Sequence, residues 1–437
     1  MGLFGTSGIR GVIDSEITLD LARKLGAATA KKYKKIVVAR DHRLSGPVLS
    51  EGFGKAAAMI GAEVIDIGVA PTPAAVFAGK TLSAECTVIV TASHNPPQYN
   101  GFKFFNPDGS AFSKAQELEI EKLLEYAPVI MGRIKSSEIT KFAHNDKILS
   151  EFAGKFAGMK IVLNLNGGAA TATALPLFDK LGCVVHPIFE RTDGEYVPNP
   201  KSKPDPTLGD WNRIADIDTT LKIIEETGSD LGIIYDGDAD RLFAVSKEGP
   251  IAPDKLIYLF SSHFYPGANV VDVVDGSSIL DSVCNVTRVP VGDVNVSYEL
   301  KGNRNNYSFG GESCSGAYVW PSLHLCPDGI YSSVKLLQMV SENGPLESLV
   351  KKVPENFIKR DKIQIPKERK AEILERAKGR LEQSWKANFS DGIRVDFPGS
   401  WFLIRPSGTE PIMRMTVEAE SEEKALALME KARKLLE

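Results

Sequence analysis

The sequence predicts an α/β protein made of three related α/β units with mainly parallel sheets, followed by a smaller α+β unit. Three observations lead there. Short apolar runs of strand character alternate with helical segments of about ten to fifteen residues, the rhythm of βαβ units. That rhythm returns in three rounds, as repeated units of one topology do. Beyond residue 350 the order changes to helix, several strands and a closing helix.

In chain order, the first round places helices at 19–33, 49–61 and 73–82 among strands at 36–38, 64–67 and 88–90. Ile36-Val37-Val38 and Val88-Ile89-Val90 are apolar and β-branched, which suits a pleated, buried surface. The second round has strands at 161–163, 184–185 and 233–234, and the third at 270–274 and near 307–309. The last unit has a helix at 369–385, strands at 393–397, 401–404 and 413–419, and an amphipathic helix at 421–437. Polar stretches near 145–155, 246–254 and 351–366, two of them carrying proline, are the expected boundaries. They give units 1–148, 149–247, 248–352 and 353–437.

Composition narrows the class. The chain of 437 residues is 43% hydrophobic and 25% charged, as in ordinary globular proteins. A net charge of −4 argues against a general nucleic-acid binder, so any anion site is local. No apolar run approaches a membrane span, and the first residues lack a signal peptide's basic and apolar regions. Five cysteines, odd in number and without paired metal spacing, read as reduced thiols in a cytoplasmic protein. No feature assigns an oligomeric state.

Residues 236–241 read Asp-Gly-Asp-Ala-Asp-Arg and follow the apolar run Leu231-Gly232-Ile233-Ile234-Tyr235. Three carboxylates at alternate positions, spaced by the two smallest residues, fall in the turn after a buried strand. Hard divalent cations bind such clustered oxygens, so Asp236, Asp238 and Asp240 are candidate metal ligands. A calcium hand would want Gly at Arg241 and Glu at Lys247. Arg241 beside the acidic turn instead suggests a phosphate oxygen shared by metal and guanidinium.

Four further segments carry chemistry. Thr91-Ala92-Ser93-His94-Asn95-Pro96-Pro97 follows the strand at 88–90, where open α/β sheets place their sites. Ser93 reads as a nucleophile or phosphate carrier. His94 beside it is expected to point away along an extended chain, and no Gly-x-Ser-x-Gly elbow is present. Lys103 lies ten residues on. Residues 3–11 form a glycine-rich loop bearing Arg10, able to approach an anion closely. Arg405-Pro406-Ser407-Gly408-Thr409-Glu410-Pro411, with Arg414, joins guanidinium, hydroxyls and mobile amides into a phosphate cradle. Gly310-Gly311-Glu312-Ser313-Cys314-Ser315-Gly316 presents one carboxylate among small polar groups, suited to sugar hydroxyls.

These segments, in this order, resemble the α-D-phosphohexomutase superfamily over essentially the whole chain. The resemblance implies four domains around a central cleft. It makes Ser93 the phosphoserine, and Asp236, Asp238 and Asp240 the Mg2+ ligands, with an oxygen on Ser93 completing the set. Arg405, Ser407, Gly408, Thr409 and Arg414 become the phosphate-binding loop, Arg10, Lys103 and Arg241 catalytic groups, and Lys103 a candidate general base. Glu312, with Cys314 or Ser315, would read the sugar. The loop departs from the usual Gly-Glu-x-Ser-Gly by one residue between Glu312 and Gly316, leaving two registers open. Pro290 precedes Val291-Gly292-Asp293, and Pro327-Asp328-Gly329 stands where Arg-Asp-Gly is common.

The implied reaction interconverts hexose 6-phosphate and hexose 1-phosphate through phospho-Ser93 and a hexose bisphosphate. Within the superfamily the 4–11, 291–293 and Arg405 segments resemble phosphoglucosamine mutases, slightly more than phosphomannomutase/phosphoglucomutase relatives. A magnesium-dependent sugar-phosphate phosphatase, which would release inorganic phosphate, and a non-catalytic sugar-phosphate sensor are the rival readings.

Overall fold

In the first sheet, strand Lys35–Arg40 lies between Cys86–Val90 and Glu63–Val69 and is parallel to both. Its β-branched core, Val37 and Val38, is wholly shielded by helices on either face. The computed structural model describes residues 2–5, 7–124, 133–192, 194, 211–303, 305–407 and 411–437. The sheet has six strands, ending in Tyr99–Phe105 and Ile9–Val12 on one side and Lys135–Ser136 on the other. Helices Leu19–Lys32 and Gly46–Met59 pack so closely that a Cβ on Gly26 would stand 2.1 Å from the Phe53 carbonyl oxygen.

The second sheet runs Gly249–Ile251, Leu242–Ser246, Leu231–Tyr235, Lys160–Asn164, Val184–Ile188, its last three strands parallel. The third runs Asn285–Val289, Asn269–Val273, Phe309–Glu312, Ala317–Val319, parallel except for the final pair. These two units share one apolar core. Trp320 sits at its centre, 4.5 Å from the Phe309 ring and 5.4 Å from that of Phe260. Each such side chain removed from water contributes about 1.5–3 kcal/mol, so the shared core binds the two units firmly. The fourth sheet is antiparallel throughout, in the order Phe357–Gln364, Ile412–Ala419, Ser400–Pro406, Ile393–Phe397, Lys386–Asn388. Helices Lys370–Gly379 and Glu422–Leu436 cover it.

The fold class stands: three α/β units and an α+β unit. Two of the expected divisions cross regular structure. A division at 148/149 would cut helix Ala143–Phe152, and one at 247/248 would part the hairpin of Leu242–Ser246 and Gly249–Ile251. The stretch 351–366, polar in sequence, contains the eight-residue strand Phe357–Gln364. It is an edge strand, and Lys359, Arg360, Asp361 and Lys362 keep such an edge from pairing further. The helix expected over 369–385 stops at Gly379. Among the described residues no helix is long and apolar enough to cross a membrane.

Candidate active site

Strand Cys86–Val90 is buried along its whole length and delivers the chain to Ser93. Ser93 adopts the left-handed region, φ 51°, which non-glycine residues occupy only where the surroundings hold them there. Its N–H donates to Thr91 Oγ1 (2.9 Å), and Thr91 Oγ1 donates to Asp41 Oδ2 (2.7 Å). Ser93 Oγ donates to Asp236 Oδ2 at 2.6 Å. The left-handed turn also corrects the expectation for His94. Its Nδ1 lies 3.2 Å from Ser93 Oγ, because the chain is not extended there.

The three aspartates sit where the strand Leu231–Tyr235 ends, all buried, with Ala239 at φ 56° bending the loop. Gly237 permits the two loops to meet, since a Cβ there would be 2.3 Å from the Ser93 carbonyl oxygen. Lys103 Nζ lies between carboxylates, 2.5 Å from Asp238 Oδ2 and 2.6 Å from Asp240 Oδ2. Thr72 Oγ1 also donates to Asp238 Oδ2, at 2.6 Å.

Burial, then Asp240 and Asp238, pushes the Asp236 carboxyl well above the usual range. Burial and Asp238 raise Asp240 as well. Burial opposes ionisation of Asp238 too, but Lys103 and Thr72 outweigh it and hold that carboxyl low. Burial would discharge Lys103, yet Asp238 and Asp240 prevail and keep it an ammonium. In this arrangement Lys103 holds a proton, and service as a general base would require it to lose that proton first.

The loop fits a hard divalent cation. Asp236, Asp238 and Asp240 each offer an oxygen within 4.8 Å of the others. Asp238 Oδ1 and Asp240 Oδ1 are buried without a hydrogen-bond partner. Three buried carboxylates with two unbonded oxygens are costly unless positive charge completes them.

Cationic groups border the loop. Arg10 lies in strand Ile9–Val12, opposite Gly101, and its Nη1 donates to Asn95 Oδ1 at 3.3 Å. Its Nε is buried and unbonded. Burial lowers the Arg10 pKa, with Asp238 the largest opposing influence. Arg241 Nε stands 3.8 Å from Asp240 Oδ1.

Glu312 ends strand Phe309–Glu312, so the glycine-rich motif starts inside a strand rather than after one. Burial pushes its carboxyl up to about 7 despite Arg241, with Asp293 adding to the rise. Ser315 Oγ donates to Glu312 Oε2 at 2.5 Å, whereas Cys314 packs against an apolar cluster containing Val271 and Leu325. Of the two registers, the structure puts Ser315 beside the carboxylate.

Arg405 lies in strand Ser400–Pro406 directly opposite Arg414 in strand Ile412–Ala419. Like charges across a strand pair repel, an arrangement an anion relieves. Arg405 Nη1 reaches Asp391 Oδ2 at 3.4 Å, and its Nε is unbonded. Ser407 N donates to Ile412 O (3.0 Å), and Lys370 Nζ to Ser407 O (2.7 Å). Gly408 and Thr409 lie outside the described residues. Glu312 feels both Arg241 and Arg405, so the aspartate-loop and Arg405 groups share one electrostatic neighbourhood.

Sequence reasoning missed Asp41, Arg43 and Thr72. The first two stand just after strand Lys35–Arg40, the kind of position that drew attention to Ser93, but with no recognised pattern. It also missed a second cluster, His144, His324 and Asp328, wholly buried. Asp328 Oδ2 accepts from His144 Nε2 (2.8 Å) and His324 Nε2 (3.1 Å). Because His324 Nδ1 accepts from Cys326 N–H, its Nε2 carries the proton and offers a metal no lone pair. The cluster is a hydrogen-bonded knot. It seats helix Gly329–Asn343, whose first N–H donates to Ala239 O in the aspartate loop.

Comparison with known proteins covers the whole chain. Models of phosphoglucomutase/phosphomannomutase α/β/α domains I, II and III match residues 1–128, 139–249 and 252–357, and that of the C-terminal domain 362–435. A probable phosphoglucosamine mutase of Methanococcoides burtonii is 37% identical over 431 residues, 96% of this chain and 95% of that protein. One from Methanocella arvoryzae is 36% identical, covering 100% and 98%. A phosphoglucomutase/phosphomannomutase family protein from Burkholderia thailandensis superposes with TM-score 0.84 at 26% identity, covering 99% of this chain and 96% of that one.

Proposed function

This chain belongs to the phosphoglucomutase/phosphomannomutase family and is an isomerase, and from that premise we propose that it converts glucosamine 6-phosphate to glucosamine 1-phosphate through phospho-Ser93. The observation that carries the proposal is Ser93 Oγ bonded at 2.6 Å to one of three buried aspartates, two of which keep unbonded oxygens.

In the proposed cycle the phosphoryl group leaves Ser93 for the free hydroxyl of a hexose monophosphate. One P–O bond to Ser93 breaks, one to the sugar oxygen forms, and the proton lost by the sugar hydroxyl ends on the departing Ser93 oxygen. The resulting bisphosphate reverses its orientation, and the other phosphate returns to Ser93. Asp236, Asp238 and Asp240 would hold Mg2+, which spreads the charge of the transferring group when bound. Lys103 and Arg10 supply positive charge beside it, with Arg241 flanking. Arg405, Ser407, Gly408, Thr409 and Arg414 would grip the phosphate that is not reacting. Glu312, with Ser315 holding its carboxylate, would accept bonds from sugar hydroxyls. A cytoplasmic location belongs to the same reading.

The glucosamine assignment rests on the names of relatives at 36–37% identity. The second reading is a phosphomannomutase, supported by the 25% identity and TM-score of 0.81 to a putative phosphomannomutase from Thermus thermophilus. Incubating the protein with Mg2+ and, separately, glucosamine 6-phosphate, mannose 1-phosphate and glucose 1-phosphate decides between them. Fastest isomerisation of the glucosamine ester is expected. Net release of inorganic phosphate without isomerisation would make the protein a phosphatase.

A further inference from the structure

We propose that Arg43 is a positioning residue for phosphoryl transfer, acting through the main chain of the serine loop. The inference rests on the reading of Ser93 as the phosphoryl carrier. All five N–H groups of the Arg43 guanidinium are engaged. Nε donates to Asp41 Oδ2 at 3.1 Å. Nη1 donates to Pro96 O and Tyr99 O, both at 2.8 Å. Nη2 donates to Ser93 O at 2.8 Å and Asn95 O at 2.7 Å. Four carbonyls from residues 93–99 therefore converge on one planar fork. A lysine ammonium, with three donors on a single nitrogen, cannot reach them together.

The fork also closes a ring around Ser93. Asp41 Oδ2, which Arg43 holds, accepts from Thr91 Oγ1, and Thr91 Oγ1 accepts the Ser93 N–H. Both polar groups of the Ser93 main chain are thus tied to Arg43, the carbonyl directly and the N–H through two side chains. That matters because Ser93 stands at φ 51°, a conformation it abandons unless held. Its alignment is tight on the far side too, where Gly237 lies against the Ser93 carbonyl. A carrier that must give and take a phosphoryl group along one line tolerates little drift, and misplacement favours attack by water over attack by the sugar.

The test uses the full-length protein carrying phosphate on Ser93. Arg43→Lys is expected to lower kcat about a hundredfold with KM within about twofold, since only alignment is lost. Phosphate release from phospho-Ser93, relative to transfer to sugar, should rise about tenfold in the same variant. Guanidinium ion added to Arg43→Ala should restore part of kcat. Thr91→Val, which cuts the ring at its other side, should shift the same ratio by a smaller amount. It keeps the test open if the Arg43 variants fail to fold. Unchanged kcat and partition in Arg43→Lys, or in Thr91→Val where that is the only folded variant, overturns the inference. Parent protein without isomerase turnover would instead overturn the functional reading on which it rests.

Discussion

Around Ser93 the charged groups are buried and tied to one another, whereas Arg405 is partly exposed, held by one long contact to Asp391 and set opposite a second arginine. Lys103 is 4% exposed and bonded to two aspartates, and Ser93 is 2% exposed and bonded to a third. Arg405 retains 19% side-chain exposure and faces Arg414 across an antiparallel pair. The first arrangement suits a group that must stay in one place. The second suits a surface that takes up an anion and releases it, because repulsion between the arginines returns when the anion leaves. On the proposed cycle this is the needed division: one end transfers, the other holds a phosphate in either of two orientations.

The largest effect should come from the buried end. On the proposed cycle Ser93→Ala is expected to reduce turnover to background, at least about a thousandfold, while leaving the fold intact, since only the oxygen proposed to carry the phosphoryl group is removed. Mass spectrometry of the parent should find one phosphate on the peptide containing Ser93. Normal turnover in Ser93→Ala would erase the distinction between the two ends. Asp238→Asn should follow, lowering Mg2+ affinity and turnover together, by about a hundredfold. Its amide supplies an oxygen without the charge and leaves Lys103 with one carboxylate fewer. Titration calorimetry with Mg2+ reads the affinity loss independently of activity.

The partly exposed end should respond more gently and without regard to sugar. Arg405→Lys keeps the charge but loses the two-pronged geometry, so KM should rise about tenfold for every hexose phosphate. A rise confined to one sugar would make this loop a sugar reader and dissolve the comparison.

How far the sequence reveals the two ends differs for a physical reason. The acidic loop was legible because Asp236, Asp238 and Asp240 alternate along one short turn and follow an apolar strand. Ser93 was legible by its place after another strand. What holds Ser93 and Asp238 was not, because Asp41 and Arg43 on the first and Thr72 on the second are distant in sequence and act through backbone carbonyls and single hydrogen bonds. His94 was misread since one left-handed residue reverses the direction of its neighbour. The edge strand Phe357–Gln364 looked like a linker because its charges guard the edge rather than mark a break. The choice between Cys314 and Ser315 needed the turn itself. The α/β alternation survived all of this, since buried parallel strands advertise themselves by composition.

Glu312 lies between the two ends, and its carboxyl, pushed up to about 7, gives a test that depends on pH. Below that value the parent is protonated and resembles Gln. Glu312→Gln should therefore change kcat/KM little at pH 6 and lower it about tenfold at pH 8, where a carboxylate acceptor is lost. The preference among glucosamine, mannose and glucose phosphates should shift at pH 8 only. An equal loss at both values would mean the carboxylate is already ionised at pH 6.

The smallest effect on activity separates burial from function. Asp272 is as buried as Asp236 and Asp238 but already paired, bonding Arg288 Nη1 at 2.7 Å and Ser313 Oγ at 3.0 Å. Burial pushes its carboxyl up to about 6, more than Arg288 pulls it down. A carboxyl raised above its unfolded value of about 3.9 makes the native state the stronger proton binder between the two values. Its contribution to stability is therefore greatest below about pH 4, declines as pH rises to about 6, and is flat beyond, a change on the order of 2–3 kcal/mol. Asp272→Asn, which cannot ionise, should lack this decline. Thermal midpoints of parent and variant should thus diverge in the variant's favour between pH 4 and 6, with kcat unchanged at pH 8. Parallel midpoints over that range would show that Arg288 offsets the burial, and that a buried carboxylate here needs no cation beyond its partner.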